Sequence, residues 1–455
     1  MKVIIVGASK VGFSLAKYLS DEGYDLVVID KDEKRIDEIT DAVDCNGFVG
    51  NGSSPQLLKK AGIESTAALI ALTKDDETNI LCCSVAKQLG VKRTVAAVRG
   101  PEFEADPEFF SGRLGVDMFI NPDMAAAREG NKLIRYTRSV EIEEFGGGKV
   151  LAATIDITKD SVLAGVPMPM VHERVGAQIL ICAIDRGGKL FTPTGQHDIR
   201  VGDSITFLAT GQQMSKALER LGIEGSPLKK AVIVGGGEVG YYLTGILLDG
   251  GVDVTLIDID HEKCRDLLEN YPKANVIGGD GTDTVLMEKE LKKADACVAC
   301  TGKDEQNLII SMFAKSEGIE RIAAVIDNYN YELMLKRSGI HHVFSTRDVA
   351  LIDVVKTLRV MTTSEDKNVM KWLYTLNNDR VEAAEFYVGD DFSLLGIEFR
   401  EKEFKLKPGI LIAVIIRDGI VMVPNGMSKI LAGDHVIVVS AQHRILRLSD
   451  ICAKE

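Results

Sequence analysis

Short, wholly apolar runs alternate along this chain with stretches whose apolar positions recur at helical spacing. Val3-Ile4-Ile5-Val6, Leu26-Val27-Val28-Ile29 and Ala68 to Leu72 carry no polar residue at all. Runs this short and continuous predict strands buried on both faces, the form taken in a parallel sheet covered by helices. The first run ends in Gly7-Ala8-Ser9-Lys10-Val11-Gly12 and the second in a carboxylate, Asp30. The same order returns 228 residues later, with Val232-Ile233-Val234 entering Gly235-Gly236-Gly237-Glu238-Val239-Gly240 and the next strand ending at Asp258. Strand, glycine turn, helix and acid-tipped strand are the sequence form of a Rossmann βαβ unit. The chain therefore predicts an α/β protein with two doubly wound parallel-sheet domains and two ligand sites.

Each glycine has a physical task in such a turn: one permits the bend, one lets a pyrophosphate approach the backbone, and one lets helix and strand pack closely. The helix N-terminus offers free amides and the positive end of its dipole to the phosphates. Asp30 or Asp258 would accept hydrogen bonds from a ribose 2′-hydroxyl and repel a 2′-phosphate, favouring NAD or NADH, with ATP and ADP as further candidates. The loops differ at one place, because Ser9 stands where the second loop has Gly237. A side chain there narrows the phosphate approach, although its hydroxyl and Lys10 offer contacts of their own.

The duplication extends further. Gly50-Asn51-Gly52-Ser53 matches Gly279-Asp280-Gly281-Thr282, with Ser53 and Thr282 expected as helix caps. Thr73-Lys74-Asp75-Asp76-Glu77-Thr78-Asn79 matches Thr301-Gly302-Lys303-Asp304-Glu305-Gln306-Asn307. These turns follow a later strand of the sheet, where ligands enter, so Thr73, Lys74 and Thr301 are candidate adenosine contacts as well as parts of capped helices. A further strand ends at Val98-Arg99 in one half and Ile326-Asp327 in the other. Arg99 could grip a phosphate bidentately, whereas Asp327 would oppose one.

A shorter repeat trails each Rossmann half. Arg186, Pro193-Thr194-Gly195 and Gly202-Asp203 recur as Arg417, Pro424-Asn425-Gly426 and Gly433-Asp434. Apolar or alternating runs, Gln178 to Ile184 with Ser204 to Leu208 and Ile410 to Ile416 with His435 to Val439, predict strands between glycine turns. Each repeat reads as a small α+β domain that needs its sheet covered by a partner. The expected domains are 1–138, 139–224, 229–377 and 378–455, with a linker at Gly222 to Pro227, joints near Arg138 and Asn377, and a hinge or crossover helix from Ala125 to Arg138.

Composition narrows the function. A net charge of −13 argues against nucleic acid or an anionic lipid surface as the main partner. No apolar run has the length needed to cross a bilayer, and Met1-Lys2 leads directly into the first strand, so a cytoplasmic location is expected. Cys297 and Cys300 have CxxC spacing, but three positions apart on a strand face opposite sides, which disfavours a shared metal. The adjacent His341 and His342 would likewise diverge. No metal site and no catalytic grouping is expected.

Gly7 to Gly12 with Asp30, the Gly50 to Ser53 turn, Thr73 with Asp76-Glu77 and Asn79, Val98-Arg99-Gly100-Pro101-Glu102, Asn121-Pro122 and their counterparts resemble the RCK, or KTN, family. The order of two Rossmann halves, each followed by a small domain, is similar to that of the cytoplasmic subunits of Trk-type potassium uptake systems. The resemblance implies a nucleotide-sensing homo-oligomeric ring, a dimer of tandem chains, peripheral to the inner face of the membrane and gating a separate potassium-conducting subunit. It implies a first site at Gly7, Ala8, Ser9, Lys10, Val11, Gly12, Asp30, Thr73, Lys74, Val98 and Arg99. A second is implied at Gly235, Gly236, Gly237, Glu238, Val239, Gly240, Asp258 and Thr301. The potassium comes from the family alone; no residue here indicates it. An NAD-dependent oxidoreductase and a regulator of another potassium channel or efflux system are the alternatives. The former needs an acid or base beside the nicotinamide, and no His-Asp or Tyr-Lys grouping is placed for that role.

Overall fold

The computed structural model describes residues 1–100, 103, 113–135, 141–145, 149–223, 228–340, 342–363, 368, 370–376, 381–440, 445 and 447–453. The expected joints at Arg138 and Asn377, residues 224–227 of the linker, Pro101-Glu102 and His341 lie outside them. The described chain divides into two compact units, one holding 1–135 with 228–357 and the other 136–227 with 358–455. The four expected domains are thus grouped by kind.

In the first half of the Rossmann unit the order is β1 (Lys2–Val6), α1 (Lys10–Asp21), β2 (Asp25–Asp30), α2 (Glu33–Ala42), β3 (Asn46–Val49), α3 (Pro55–Lys60), β4 (Ala68–Ala71), α4 (Asp76–Gln88), β5 (Arg93–Ala97), β6 (Met118–Ile120) and α5 (Pro122–Arg135). Its sheet runs β3-β2-β1-β4-β5-β6, with every pairing parallel. The chain reverses between β1 and β4, and a crevice opens there at the carboxyl ends of the strands. Val3, Ile4, Ile5 and Val6 are buried on both faces, which is why the run carries no polar residue.

The trailing domain contributes β7 (Glu141–Phe145), β8 (Val150–Asp156), α6 (Val171–Val175), β9 (Leu180–Arg186), β10 (Lys189–Phe191), β11 (Asp203–Thr210) and α7 (Gly211–Arg220). The second Rossmann half repeats the first: β12 (Lys230–Val234), α8 (Glu238–Asp249), β13 (Asp253–Asp258), α9 (His261–Asn270), β14 (Asn275–Gly278), α10 (Thr284–Leu291), β15 (Ala296–Ala299), α11 (Asp304–Ser316), β16 (Arg321–Val325), α12 (Tyr329–Arg337), β17 (His342–Phe344) and α13 (Thr346–Thr363). Its strand order, β14-β13-β12-β15-β16-β17, is the same. The last domain supplies β18 (Met370–Leu376), β19 (Val381–Tyr387), β20 (Ile410–Arg417), β21 (Ile420–Met422) and β22 (His435–Ser440).

Helix α5 joins the halves of the Rossmann unit. Asn121 caps it, accepting from the amides of Asp123 and Met124 at 3.2 and 2.9 Å, and Pro122 occupies its first position. Its apolar stripe, Ala126, Ala127 and Ile134, packs with Tyr242, Leu243 and Leu247 of α8 and with Phe344, inside the core of the second half. A Cβ on Gly130 would stand 3.3 Å from Phe344 Cζ, so the small residue sets the distance of approach. The crossover expected at Ala125 to Arg138 is therefore present, beginning three residues earlier and continuous to Arg135, with 136–138 outside the described residues.

In the second unit both sheets are antiparallel and share one topology, β10-β9-β11-β8-β7 and β21-β20-β22-β19-β18. Phe145, Ala152, Cys182 and Leu208 of one interlock with Ala383, Val414, Ile437 and Val439 of the other. Each sheet is the cover that the other needed. The repeated arginines and aspartates are ion pairs: Arg186 grips buried Asp203 through Nε and Nη2, both at 2.8 Å, and Arg417 holds Asp434 at 2.7 and 2.8 Å. Each aspartate also accepts a backbone amide, from Arg200 or Leu431, and so pins the loop before its strand. Among the described residues no helix is long and apolar enough to cross a membrane.

Leu243 is fully buried where α5 meets α8. Leu243→Ala is expected to lower stability by about 2–5 kcal/mol, the usual result of emptying a packed leucine site. Urea unfolding reads this directly, and a loss well under ~1 kcal/mol would mean that the α5 contact does not support the second half.

Candidate functional site

Both glycine loops are bent in the same way. Gly7 (φ 108°) and Gly235 (φ 118°) occupy a region that side chains avoid, and a Cβ on either would press into the backbone just past the neighbouring strand, β4 or β15. A Cβ on Gly12 or Gly240 would lie about 2 Å from the carbonyl oxygen of Gly7 or Gly235. These four are turn and packing glycines. Gly236 has a further reason, since its Cβ would crowd Leu267 and Asp258.

The acidic residues brace these loops. Asp30 accepts from the Ala8 amide at 2.6 Å through one oxygen and from the Asp32 amide at 2.9 Å through the other. Asp258 does the same with Gly236 and with Asp260, the latter at 2.7 Å. Each carboxylate therefore ties the tip of its second strand to the loop, and keeps one lone pair on each oxygen for an outside donor. Sequence alone had given them only the ribose role.

At Ser9 the loops part. Its hydroxyl oxygen accepts from the Gly12 amide at 3.3 Å, capping α1, and the hydroxyl lies 3.4 Å from the Leu72 carbonyl. Gly237 begins α8 with no side chain to cap it. A Cβ placed there meets nothing within 4 Å, so the space before this helix end is open.

The turns after β4 and β15 are locked by two buried asparagines, which the sequence marked only as part of the repeated motif and not as the residues that hold the turns. Asn79 Oδ1 accepts from the Thr73 amide (2.9 Å) and hydroxyl (2.6 Å), while its Nδ2 donates to the Ala97 carbonyl at 2.8 Å. Asn307 repeats this with Thr301 and Val325. Thr73 and Thr301 thus spend their hydroxyls on the turn itself. The expected caps at Ser53 and Thr282 move one place on. Ser54 and Asp283 cap α3 and α10, because Ser53 and Thr282 instead bond the side chains of Asn51 and Asp280.

A cleft of about 220 Å³ opens at the carboxyl ends of β1, β2 and β4. Gly7, Ser9, Asp30, Thr73 and Lys74 of the expected first site line it, joined by Lys31, Arg35, Asn51 and Asp75, which sequence reading left out. Ala8, Lys10, Val11 and Gly12 are not in its wall. Val98 is corrected to a core residue, 2% exposed, whose amide bonds the Ile120 carbonyl. In the second half Val239 is likewise buried in the core. A larger cavity, about 300 Å³, lies at the amino ends of β12 and β13, away from any glycine loop.

Arg99 also moves. Its guanidinium sits between Asp76 (3.5 Å) and Asp123 (3.4 Å) and donates to the Thr73 carbonyl, and its own carbonyl accepts from the Tyr242 hydroxyl of the other half. Its charge also bears on Glu238, the first residue of α8, whose carboxyl is raised by burial and by Asp123 and relieved by Lys263 and Arg99. The counterpart contact is Lys10 to Asp327, 3.4 Å apart, with Asp327 also accepting from the Ser345 hydroxyl. Each glycine-loop helix thus faces the end of β5 or β16 in the opposite half, with the charges reversed between the two contacts. Arg99 and Asp327 belong to the junction between halves, which local sequence could not reveal.

Cys297 and Cys300 lie in different cores on either side of their sheet, as the strand geometry required, and burial pushes both thiols up to about 12.

Duplicated parallel sheets with strand order 3-2-1-4-5-6, paired glycine loops and acid-tipped second strands define a tandem Rossmann protein of the nucleotide-site class. The TrkA-N domain matches residues 3–122 and 231–346, and the TrkA-C domain matches 153–222 and 383–453, so the chain belongs to the TrkA family of tandem RCK proteins. It is 28% identical over 453 residues to a Trk system potassium uptake protein TrkA homolog of Archaeoglobus fulgidus, covering 99% of this chain and all of that one. It is 27% identical to the Trk system potassium uptake protein TrkA of Azorhizobium caulinodans over 99% of this chain and 98% of that one. The GsuK RCK domain superposes with a TM-score of 0.63 at 18% identity, covering 96% of this chain and 92% of that one. The GsuK channel bound to NAD gives the same score and identity over 96% of this chain and 76% of that one.

Two predictions follow from the buried polar groups. Asn307→Ala strands the Thr301 amide and the Val325 carbonyl, and a loss of about 1–3 kcal/mol per stranded group is expected in urea unfolding. Asp123 is raised by burial, lowered by Arg99 and raised again by Asp76. A carboxyl raised in the folded state holds stability that is present in acid and lost as pH climbs through the folded value. Asp123→Asn is expected to exceed the parent in stability near neutral pH and to match it below the ordinary carboxylate range. A gain confined to acid would reverse the sign and refute the assignment.

Proposed function

We propose that this chain is a cytoplasmic, non-catalytic, nucleotide-sensing regulatory subunit of a Trk-type potassium uptake system. It gates a separate membrane-embedded, potassium-conducting subunit, to which a homo-oligomeric ring of tandem chains binds from the inner face. NAD or NADH, and ATP or ADP, are its ligands. Gly7, Ser9, Asp30, Thr73 and Lys74 hold one, and the open α8 end at Gly235 to Val239, with Asp258 and Thr301, holds the other. The observation that carries this reading is the attachment of each glycine-loop helix to the opposite half, through Lys10 with Asp327 and through the Tyr242 hydroxyl of α8 with the Arg99 carbonyl.

A ligand moves a two-state protein only through its difference in affinity for the two states. Phosphates drawn to the loop amides beside Lys10 or Glu238 change the balance of charge at the junction. Ligand occupancy is thereby translated into the pairing of the halves, which the membrane subunit feels. The full-length TrkA relatives and the NAD-bound GsuK channel support the direction of this reading.

Gly237→Val tests the second site cleanly, because the position has ordinary backbone angles and open space around it. NADH affinity at that site should fall at least tenfold by calorimetry while the melting temperature stays within about two degrees, a shift equivalent to a fraction of a kcal/mol. Unchanged affinity would remove the second cleft from the proposal. Reconstituted with its membrane subunit, the parent should alter potassium flux on nucleotide addition without consuming NADH; sustained NADH oxidation with a carbonyl substrate would defeat the regulator reading.

A further inference from the structure

We infer that the two clefts take chemically different nucleotides: the first selects an adenine nucleotide carrying a phosphomonoester, and the second accepts one with phosphodiester linkages alone. This rests on the proposed nucleotide sites and assigns each its ligand class. The inference comes from comparing the clefts position by position across the repeat.

Lys31 and Lys74 line the first cleft from opposite sides, one beyond the tip of β2 and the other beyond β4. Neither makes a hydrogen bond or ion pair among the described residues. Lys31 reaches far enough across for its charge to act on Asp75, whose own carboxylate is occupied in capping α4 through the Thr78 amide. Their counterparts are Ile259, 70% exposed, and Gly302, neither of which can hold an anion through a side chain. The second cleft does have Lys303 where the first has Asp75. Asp280, the counterpart of neutral Asn51, stands against that cation, and Lys263 takes the place of Arg35. The first cleft therefore sets Lys31, Arg35 and Lys74 against Asp75, and the second sets Lys263 and Lys303 against Asp280, which leaves the first the more positive.

The acidic residues do not cancel this difference. Asp30 and Asp258 each bond two backbone amides in the same arrangement, so their charge is offset alike in both clefts. The 2′-phosphate exclusion expected of Asp30 is weakened by those amides and opposed by Lys31 and Arg35, which stand beside it. A phosphomonoester carries close to two negative charges at neutral pH, and a diester phosphate one. Two unpaired ammonium groups reward that extra charge. Ser9 adds to the contrast, because it occupies one amide of the α1 end that Gly237 leaves to a ligand in α8.

The phosphomonoester has two sources, the chain end of ADP or ATP and the ribose of NADPH. Calorimetry on the full chain carrying Gly237→Val isolates the first cleft, titrated in turn with ADP, ATP, NADPH and NADH. At least one of the first three is expected to bind ten times or more tighter than NADH. Tight NADPH with weak ADP and ATP places the phosphate at the ribose corner, and the reverse places it at the chain end; either supports the assignment. Adding Lys31→Ala and Lys74→Ala should bring that ratio to within about threefold, and Lys31→Arg with Lys74→Arg should keep it, with thermal melting confirming that all variants fold. Equal affinity of NADH and the phosphomonoester ligands for the first cleft, or a ratio that survives the alanine pair, overturns the inference and leaves the proposed function standing. Failure of the parent chain to bind any of the four overturns both.

Discussion

A parallel sheet of apolar strands must be covered on both faces, and this requirement organises the Rossmann unit. Strands such as Val3 to Val6 and Ala231 to Val234 have no polar side to turn toward water. The second half meets the demand by borrowing: α5, encoded at the end of the first half, lays Ala126, Ala127 and Ile134 against α8 and Phe344. With the helix shared in this way, the halves form one compact unit. Their two crevices are then held in fixed register across a common junction, which is the condition for one site to influence another part of the molecule. The antiparallel sheets of the other unit solve the same problem by covering each other.

Within that frame, the loops are shaped by hydrogen bonds to buried or half-buried polar groups. Asp30 and Asp258 clamp the glycine turns to the second strands, and Asn79 and Asn307 clamp the later turns to the neighbouring strands. A cradle made of backbone amides keeps its geometry only if such partners fix it, since glycine turns have many other conformations open to them. The cost is that few of the side chains suggested by the motif remain free for a ligand. What the first cleft leaves open is backbone amides and the exposed lysines at its rim.

The strands, the glycine turns, the duplication and the need for covered small sheets were legible because each is local or periodic. Burial on two faces writes a continuous apolar run, and a positive φ writes a glycine. The repeated Arg186 with Asp203 and Arg417 with Asp434 could be seen as landmarks, although their pairing through two guanidinium nitrogens became clear only in space. Arg99 was misplaced because Asp123 and Tyr242, which fix it, are distant in sequence and one is in the other half. Val98 followed Arg99 into the expected site, although it continues an apolar run buried on both faces and so belongs to the core. Lys31 was overlooked because a lone exposed lysine beside an acid has no periodic signature. Ser53 was preferred to Ser54 as a cap since both are serines, and only the Asn51 turn decides between them.

The reversal of charge across the junction also governs which halves can marry. Lys10 faces Asp327, and Glu238 shares its surroundings with Arg99. Were two copies of the first half to embrace in the same manner, Lys10 would confront Arg99 as cation against cation. Two copies of the second would set Glu238 against Asp327. Like charges so placed repel, and a mismatched couple is penalised at both ends of its axis. This reversal turns a nearly symmetrical handshake into one that distinguishes left from right, favouring the pairing of each half with its unlike sibling.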